Sequence, residues 1–163
     1  MNKAYLLLGG NIGERLANLE KAQQLLEKQV GHIIKVSGIY ETASWGKTDQ
    51  PDFLNQVLLI ESGLTAEQMM EQIFDVENKM GRVRTEKNAS RIIDIDILFF
   101  NEEIIEASNI TIPHPQIQNR KFVLYPLNEL SPNFIHPVLK KTVQELLTVC
   151  SDTLAVNLYE HNT

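Results

Sequence analysis

The chain has 163 residues, of which 43% are apolar and 22% charged, and we expect one globular domain over residues 1–163. Its net charge of -6 argues against a general attraction to nucleic acid or to an anionic membrane, although it is compatible with one small cationic site. The single cysteine, Cys150, cannot form an internal disulfide, and no stretch resembles a signal peptide or membrane span. These features predict a cytoplasmic protein, and we expect a monomer that binds neither nucleic acid nor membrane.

The first 100 residues predict strands and helices in the order βαββαβ. The predicted strands are residues 3–8, 32–40, 53–61 and 92–100. Segment 9–13 lacks the lysine and the spacing of nucleotide-binding loops, so we expect a tight turn that allows close backbone approach. Asn11 is predicted to cap the first helix, and Thr65 with Gln68 forms a capping-box pattern that starts a second helix ending at Gly81.

This order is typical of a ferredoxin-like α+β fold, in which two helices pack on one face of a mostly antiparallel sheet. The two middle strands are expected to pair. The remaining residues predict a short strand at 104–105, a proline-bounded segment at 112–122, and a closing helix capped by Thr142 and Glu145. We expect this C-terminal portion to wrap the same core as an α/β sandwich.

Two aspartates interrupt the apolar segment SRIIDIDILFF, residues 90–100. Strand side chains alternate between faces, so Asp94 and Asp96 share one face, about 6.6 Å apart along the strand. The alternation assigns the opposite face to Ile93, Ile95, Ile97 and Phe99. Two such carboxylates suit Mg²⁺, which completes its coordination with water and substrate phosphates. The alternative is a surface salt bridge in which Arg84 or Arg91 neutralises them.

Three of the five arginines, Arg82, Arg84 and Arg91, lie in the segment just before Asp94. The planar guanidinium fork matches phosphate oxygens better than the point charge of lysine does. The segment therefore predicts a phosphate-binding loop beside the metal site.

Several other side chains could form a ligand site. Phe53 and Asn55 lie two residues apart in a strand and so share a face, where they could hold a flat heterocycle against Phe122. Trp45, in a polar loop, either fills the core or covers a site. His114, between two prolines, either donates to a phosphate or bonds its own backbone in a turn.

Five segments, in this order, resemble the 6-hydroxymethyl-7,8-dihydropterin pyrophosphokinase family of folate biosynthesis: GGN, YETASWGKTDQPDFLNQV, GRVR, SRIIDIDILFF and IPHPQIQNRKFVLYPL. The similarity extends from about Ala4 to about Pro126. It implies a ferredoxin-like fold and an ATP-dependent diphosphotransferase that uses two Mg²⁺. The β,γ-pyrophosphate of ATP would pass to the hydroxymethyl oxygen of the pterin, and AMP would leave.

The resemblance also implies roles for individual residues. The metal ligands would be Asp94 and Asp96, which with Arg82 and Arg91 form the catalytic set. Contacts to ATP and its phosphates would come from Glu77, Arg82, Arg84, Arg91, Thr111, His114 and Arg120. The pterin would lie between Phe53 and Phe122, with its edges bound by Asn55 and the backbone around Thr42, Ser44 and Trp45. Many members carry a lid tryptophan before the last arginine of the loop, where this chain has Lys87-Asn88-Ala89-Ser90, and Trp45 could replace it.

Two other classes of function use the same residues. One is a non-catalytic ferredoxin-like module that binds a nucleotide or small effector. The other is a metal-dependent nucleotidyltransferase or nuclease built on Asp94 and Asp96, which the acidic balance of the chain does not favour.

Overall fold

The computed structural model describes residues 1–43, 51–81 and 92–159. Its strands are β1 (Asn2–Gly10), β2 (His32–Val36), β3 (Tyr40–Thr42), β4 (Phe53–Ser62), β5 (Asp94–Phe100), β6 (Ile105–Glu106), β7 (Thr111–Ile112) and β8 (Val156–Leu158). Its helices are α1 (Arg15–Gln29), α2 (Ala66–Lys79), α3 (Lys121–Leu130) and α4 (Val143–Val149), with a 3-10 turn at Ile117–Asn119. Within the described ranges, none of these helices has the length and apolar character needed to span a membrane.

The main sheet has the strand order β5-β1-β4-β3-β8, and β2 also pairs with β4. Every pairing is antiparallel. The predicted strand 32–40 is divided into β2 and β3, and β3 begins at Tyr40 and extends beyond the predicted end to Thr42. The interruption lies where the Ser37 hydroxyl accepts a hydrogen bond of 2.9 Å from the Val57 N–H. Counted as one strand, β2 and β3 complete the order βαββαβ. The predicted ferredoxin-like fold and the predicted pairing with β4 are confirmed.

One face of the sheet is covered by α1 and α2. Their apolar stripes include Leu19, Ala22, Leu26, Met69, Ile73 and Val76, which are buried against the side chains of Leu6, Leu8, Leu58 and Ile60. Each Leu, Ile, Val or Met side chain among them contributes roughly 1.5–3 kcal/mol on full burial. The predicted capping box is present, because Thr65 Oγ1 accepts from the Gln68 N–H while Gln68 Oε1 accepts from the Thr65 N–H. The predicted second helix is confirmed.

The predicted cap of α1 is wrong. α1 begins at Arg15, and Glu14 rather than Asn11 occupies the N-cap position. Asn11 is instead buried, and its Nδ2 donates a 3.0 Å hydrogen bond to the carbonyl of Pro51. The physical reason is that β1 extends through Gly10, so that Asn11 meets the chain entering β4 before the first helical turn begins.

The opposite face of the sheet is covered by α3 and α4, so the C-terminal part of the chain packs on the same sheet, as expected. Side chains from both helices and from the sheet form a second core: Tyr5, Leu7, Val57, Leu59, Val123, Leu124, Leu127, Val143 and Leu146. The Thr142–Glu145 capping box begins α4 as predicted. α3 was not predicted, since Pro126 lies inside it.

β5 contains a bulge, and because of it one side chain lies on the opposite face of the sheet from the one predicted. Tyr5 pairs with Phe99 but Leu6 pairs with Ile97, which leaves Leu98 as the extra residue. Ile93, Ile95 and Ile97 lie in the core under α1 and α2, as predicted. Phe99, which was assigned to that face, lies with Leu98 in the α3–α4 core. The extra residue shifts the alternation by one, so the Phe99 side chain lies on the opposite face of the sheet.

His136 is a buried titratable group in the second core. It is 4% exposed, and its Nδ1 accepts hydrogen bonds from the N–H groups of Val138 and Leu139 at 3.2 and 3.1 Å. Its ring stands edge-on to Phe99 at 5.4 Å between centroids. Burial lowers the pKa of His136.

We expect His136 to make the protein less stable in mild acid. Because its folded pKa lies below the ordinary value of about 6.5, the unfolded chain takes up a proton first as pH falls. This contribution to stability is complete above about pH 6.5 and declines as pH falls from there towards the folded pKa. Replacing His136→Asn keeps an acceptor near Nδ1 and removes the titration.

The measurement is the urea-unfolding free energy of both proteins from pH 8 to pH 5. The wild type should lose more stability over this range than the variant, with similar values at pH 8. Parallel curves would contradict the assignment.

Candidate functional site

A row of residues in register crosses the face of the sheet that carries α3 and α4. Asp94 on β5 pairs with Gly9 on β1, Gly9 pairs with Asn55 on β4, and Asn55 pairs with Tyr40 on β3. Residues directly opposite one another in antiparallel strands project to the same side. Strands lie about 4.8 Å apart, so two spacings, about 10 Å, separate the backbones of Asp94 and Asn55. The residue between them has no side chain.

A pocket lies on this row. Its lining residues are Leu7, Gly9, Thr42, Ala43, Phe53, Asn55, Asp94, Asp96, Arg120, Phe122 and Leu154. The two carboxylates come from β5 and the amide and ring from β4, whereas Arg120 and Phe122 come from the start of α3. The Arg120 guanidinium carbon lies 5.7 Å from the centroid of the Phe122 ring. One pocket therefore combines carboxylates, a guanidinium, two aromatic rings and a buried amide.

The Asn55 amide is held from two sides. Asn55 is 4% exposed, and its Nδ2 donates a hydrogen bond of 3.2 Å to Thr42 Oγ1. On the other side, a Cβ atom added to Gly9 would lie only 2.5 Å from Asn55 Oδ1. The expected close backbone approach thus occurs at Gly9, but inside strand β1 and not in the tight turn that was predicted.

His114 lies beside the charged groups of the pocket. Its backbone N–H donates to the Leu98 carbonyl at 3.0 Å, and its Nδ1 accepts from the Gln116 N–H at 3.1 Å. Burial lowers the pKa of His114; the positive charge of Arg120 acts in the same direction, and Asp94 opposes it. The ring is therefore neutral at pH 7 with its proton assigned to Nε2, the nitrogen opposite the accepting one. The turn contact considered for His114 is present.

The remaining predicted site residues fall into two groups. Glu77 is buried, and its Oε2 accepts a hydrogen bond of 2.8 Å from the Ile95 N–H, between the two aspartates along β5. Thr111 is exposed on β7 opposite Glu106. Neither belongs to the lining that the described residues form. The other group lies outside the described residues: Ser44, Trp45, Arg82, Arg84 and Arg91.

Four lining residues were not predicted: Leu7, Gly9, Ala43 and Leu154. Leu7 and Gly9 alternate with Leu6 and Leu8, so they had to share one face of β1. The sequence offered no sign that this face opposes Asp94 and Asp96, because β1 and β5 are far apart along the chain. Leu154 follows α4 and reaches the pocket only through the packing of the C-terminal segment.

Asp94 and Asp96 are the pocket carboxylates that could bind a metal ion. Among the described residues, no three His, Cys, Asp or Glu side chains gather as a metal-binding group. A dedicated protein cage is therefore not seen in these ranges. A pair of carboxylates fits Mg²⁺, which commonly keeps several waters and binds through one or two carboxylates plus substrate phosphates.

The chain matches one protein family and several named members of it. The sequence profile of the family described as 7,8-dihydro-6-hydroxymethylpterin-pyrophosphokinase (HPPK) matches residues 5–132. The 2-amino-4-hydroxy-6-hydroxymethyldihydropteridine pyrophosphokinase of Aquifex aeolicus is 39% identical over 89% of this chain and 90% of its own length. The Bacillus subtilis protein of the same name is 42% identical over 79% of this chain and 78% of its own length.

Comparison with solved structures supports the fold. The crystal structure of wild-type Plasmodium falciparum HPPK-DHPS with pteroate superimposes on 90% of this chain with a TM-score of 0.76, at 20% sequence identity. The chain spans 44% of that protein. It spans 22% of the Dictyostelium discoideum folic acid synthesis protein FOL1, to which it is 38% identical.

We expect Gly9→Ala to destabilise the protein by about 1–3 kcal/mol, the range for overpacking a closed site. The added methyl group must push the buried Asn55 amide away from Thr42. Gly63→Ala is the matched control, because among the described residues its Cβ would meet only Met1 Sδ, at 3.9 Å. Urea unfolding measures both variants, and an equal effect of the two would contradict the close packing at Gly9.

Proposed function

This chain belongs to the 7,8-dihydro-6-hydroxymethylpterin pyrophosphokinase family, and from that premise we propose that the pocket between Asp94 and Asn55 is its active site. The chain is a diphosphotransferase of folate biosynthesis that transfers pyrophosphate from ATP to 6-hydroxymethyl-7,8-dihydropterin and releases AMP. We propose that residues 1–163 act as one pyrophosphokinase domain. Membership of this family favours the enzyme over the non-catalytic module and the nuclease.

The observation that carries the proposal is the row Asp94–Gly9–Asn55. It supports a pocket in which phosphate chemistry and heterocycle recognition occur side by side, about two strand spacings apart. Because all three residues belong to paired strands, the two halves are held rigidly relative to one another. Rigid placement matters, since positioning supplies a large part of the rate enhancement in transfer reactions.

The pterin half is formed by Phe53, Phe122, Asn55 and Thr42. The two rings offer flat apolar surfaces for a planar bicyclic ligand. Asn55 presents an amide that both donates and accepts, and its bond to Thr42 fixes the orientation of the amide plane. In this arrangement the amide recognises the edge of the pterin while the rings hold its faces. The proposed backbone contacts at Ser44 and Trp45 lie outside the described residues.

The phosphate half is lined by Asp94, Asp96 and Arg120, and His114 lies beside Asp94 and Arg120 outside the lining. The two aspartates would hold Mg²⁺, two ions in the proposed complex, and the ions would neutralise phosphate charge and make the pterin hydroxyl easier to deprotonate. Arg120 binds phosphate oxygens through its guanidinium. The proposed contacts of Arg82, Arg84 and Arg91 fall outside the described residues, and Glu77 and Thr111 stay proposed nucleotide contacts.

His114 contributes a neutral hydrogen-bond donor. Its Nδ1 already accepts the Gln116 N–H, so Nε2–H is the group able to donate to a phosphate oxygen. The low pKa of His114 keeps this donor uncharged at pH 7. The side chain therefore orients a phosphate without forming a tight ion pair with Asp94.

The reaction is an in-line displacement at the β-phosphorus of ATP. The pterin hydroxymethyl oxygen forms a bond to the β-phosphorus, the bond between that phosphorus and the oxygen bridging to the α-phosphate breaks, and AMP leaves. The hydroxyl proton passes to solvent or to a phosphate oxygen. The rings and Asn55 hold the attacking oxygen in line, and Arg120 and His114 hold the phosphates. Charge neutralisation and orientation account for catalysis without a strong general base in the pocket.

We expect Asp94→Asn and Asp96→Asn each to lower kcat by about 100-fold or more, because the charge that balances the cations is lost. Both side chains are only partly buried, so the variants should melt within a few degrees of the wild type. The assay incubates the protein with ATP, Mg²⁺ and hydroxymethyldihydropterin and measures AMP. Asp75→Asn is the control, since this exposed carboxylate pairs with Lys79 on α2, outside the pocket lining.

AMP from the wild type with near-normal turnover in either pocket variant would contradict the metal assignment. ADP as the nucleotide product would indicate an ordinary kinase, and the absence of any nucleotide product would contradict the proposed function.

A further inference from the structure

We propose that Arg15 is a positioning residue for the pterin half of the active site, acting from the opposite face of the sheet. This inference rests on the proposed function of the pocket. Arg15 is the first residue of α1, and it does not belong to the pocket lining. Its contacts lie one residue away from two side chains that do.

The first contact is with β3. Arg15 Nη1 donates to Glu41 Oε2 at 2.6 Å, and both side chains are partly shielded, with exposed fractions of 24% and 31%. Glu41 immediately precedes Thr42, whose hydroxyl accepts the Asn55 amide. Because side chains alternate along a strand, Glu41 points to the α1 face while Thr42 points to the pocket. A contact on one face therefore sets the position of its neighbour on the other.

The second contact is with the chain that enters β4. The same Nη1 donates a 2.8 Å hydrogen bond to the carbonyl of Asp52, which immediately precedes Phe53. The Asn11 amide donates to the carbonyl of the residue before that, Pro51. Arg15 thus bridges the end of β3 and the start of β4, next to the in-register pair Thr42 and Phe53.

A third contact orients the guanidinium itself. Its Cζ lies 5.7 Å from the centroid of the Tyr159 ring. Tyr159 is anchored by its backbone N–H, which donates to the Ile39 carbonyl at 2.7 Å. A guanidinium over an aromatic face is attracted by the ring quadrupole and retains its in-plane N–H groups as donors. The arginine is therefore held on one side while it bonds β3 and β4 on the other.

These contacts predict a selective effect on the pterin. Arg15 bonds to the Glu41 side chain and the Asp52 carbonyl beside Thr42 and Phe53. Within the described part of the chain, none of its contacts involves Asp94, Asp96 or Arg120. Loss of the Arg15 contacts should shift the Phe53 ring and the Asn55 amide, which recognise the heterocycle, and leave the phosphate half in place. The KM for pterin should therefore change while the KM for ATP does not.

The test is steady-state kinetics of AMP formation by Arg15→Met, Arg15→Lys and the wild type, with each substrate varied in turn. Arg15→Met keeps the apolar stem and removes every donor, so we expect the KM for pterin to rise about tenfold, with the KM for ATP and kcat within about threefold. Arg15→Lys retains a cationic donor, so its rise in the KM for pterin should be at most half of the rise in Arg15→Met on a logarithmic scale. Lys79→Met is the matched control, because it removes an exposed ion pair on α2 and should alter neither KM.

Equal rises in both KM values, or a fall in kcat with both KM values unchanged, would show a general structural role and overturn the inference. A wild type that forms no AMP would overturn the proposed function, whereas an active wild type with an unchanged pterin KM in Arg15→Met would overturn only the inference. If Arg15→Met fails to fold, Glu41→Gln is the deciding variant, because it weakens the contact of Arg15 with β3 and keeps the hydrogen bond from Arg15 to the Asp52 carbonyl. We expect it to raise the KM for pterin alone, and no change would overturn the inference.

Discussion

At Gly9 the sheet carries no side chain between Asp94 on one neighbouring strand and Asn55 on the other, and the whole pocket depends on that gap. Even a methyl group there would come within 2.5 Å of the Asn55 amide oxygen. The hydrogen-bonded ladders on both sides of β1 set the width of the gap at two strand spacings. A flat ligand and a polyphosphate can therefore be held next to one another by backbone pairing, with no need for a flexible connection.

The two faces of the sheet have separate tasks. The face under α1 and α2 is a closed apolar core, and strand alternation supplies it with Leu6 and Leu8 from β1. The same strand supplies Leu7 and Gly9 to the pocket face. α3 and α4 cover the rest of that face, and the start of α3 brings Arg120 and Phe122 to the pocket. Stability and ligand binding can thus be changed by different residues of one strand, although Arg15 shows contacts that cross this division.

The charge pattern of the pocket is local and does not follow the net charge of -6. Asp94, Asp96 and Arg120 line the same pocket, and burial together with the Arg120 guanidinium lowers the pKa of His114. A protonated imidazole would be attracted to Asp94 and would compete with a metal cation for it. Under the proposed function, the lowered pKa of His114 leaves Asp94 available to a cation at pH 7.

The predictions that failed did so where a distant segment contacts the chain and overrides the local pattern. Alternation in β5 correctly separated the aspartates from Ile93, Ile95 and Ile97, because a strand has a period of two whatever it pairs with. The same pattern misplaced Phe99, since the bulge at Leu98 arises from the register with β1. Asn11 likewise had a good local sequence for a helix cap, but the carbonyl of Pro51 binds its amide instead.

Residue types and their local spacing were enough to predict two carboxylates on one strand face and an aromatic and an amide side chain two residues apart. The family resemblance was also visible in the sequence, and the comparisons confirm it. The folded chain alone brings Gly9 between Asp94 and Asn55, and it alone places Arg15 in contact with Glu41 and Asp52. The reason is physical. Residue type and strand period are local properties, whereas the alignment of β5, β1 and β4 is set by hydrogen-bonded registers between segments far apart in the chain.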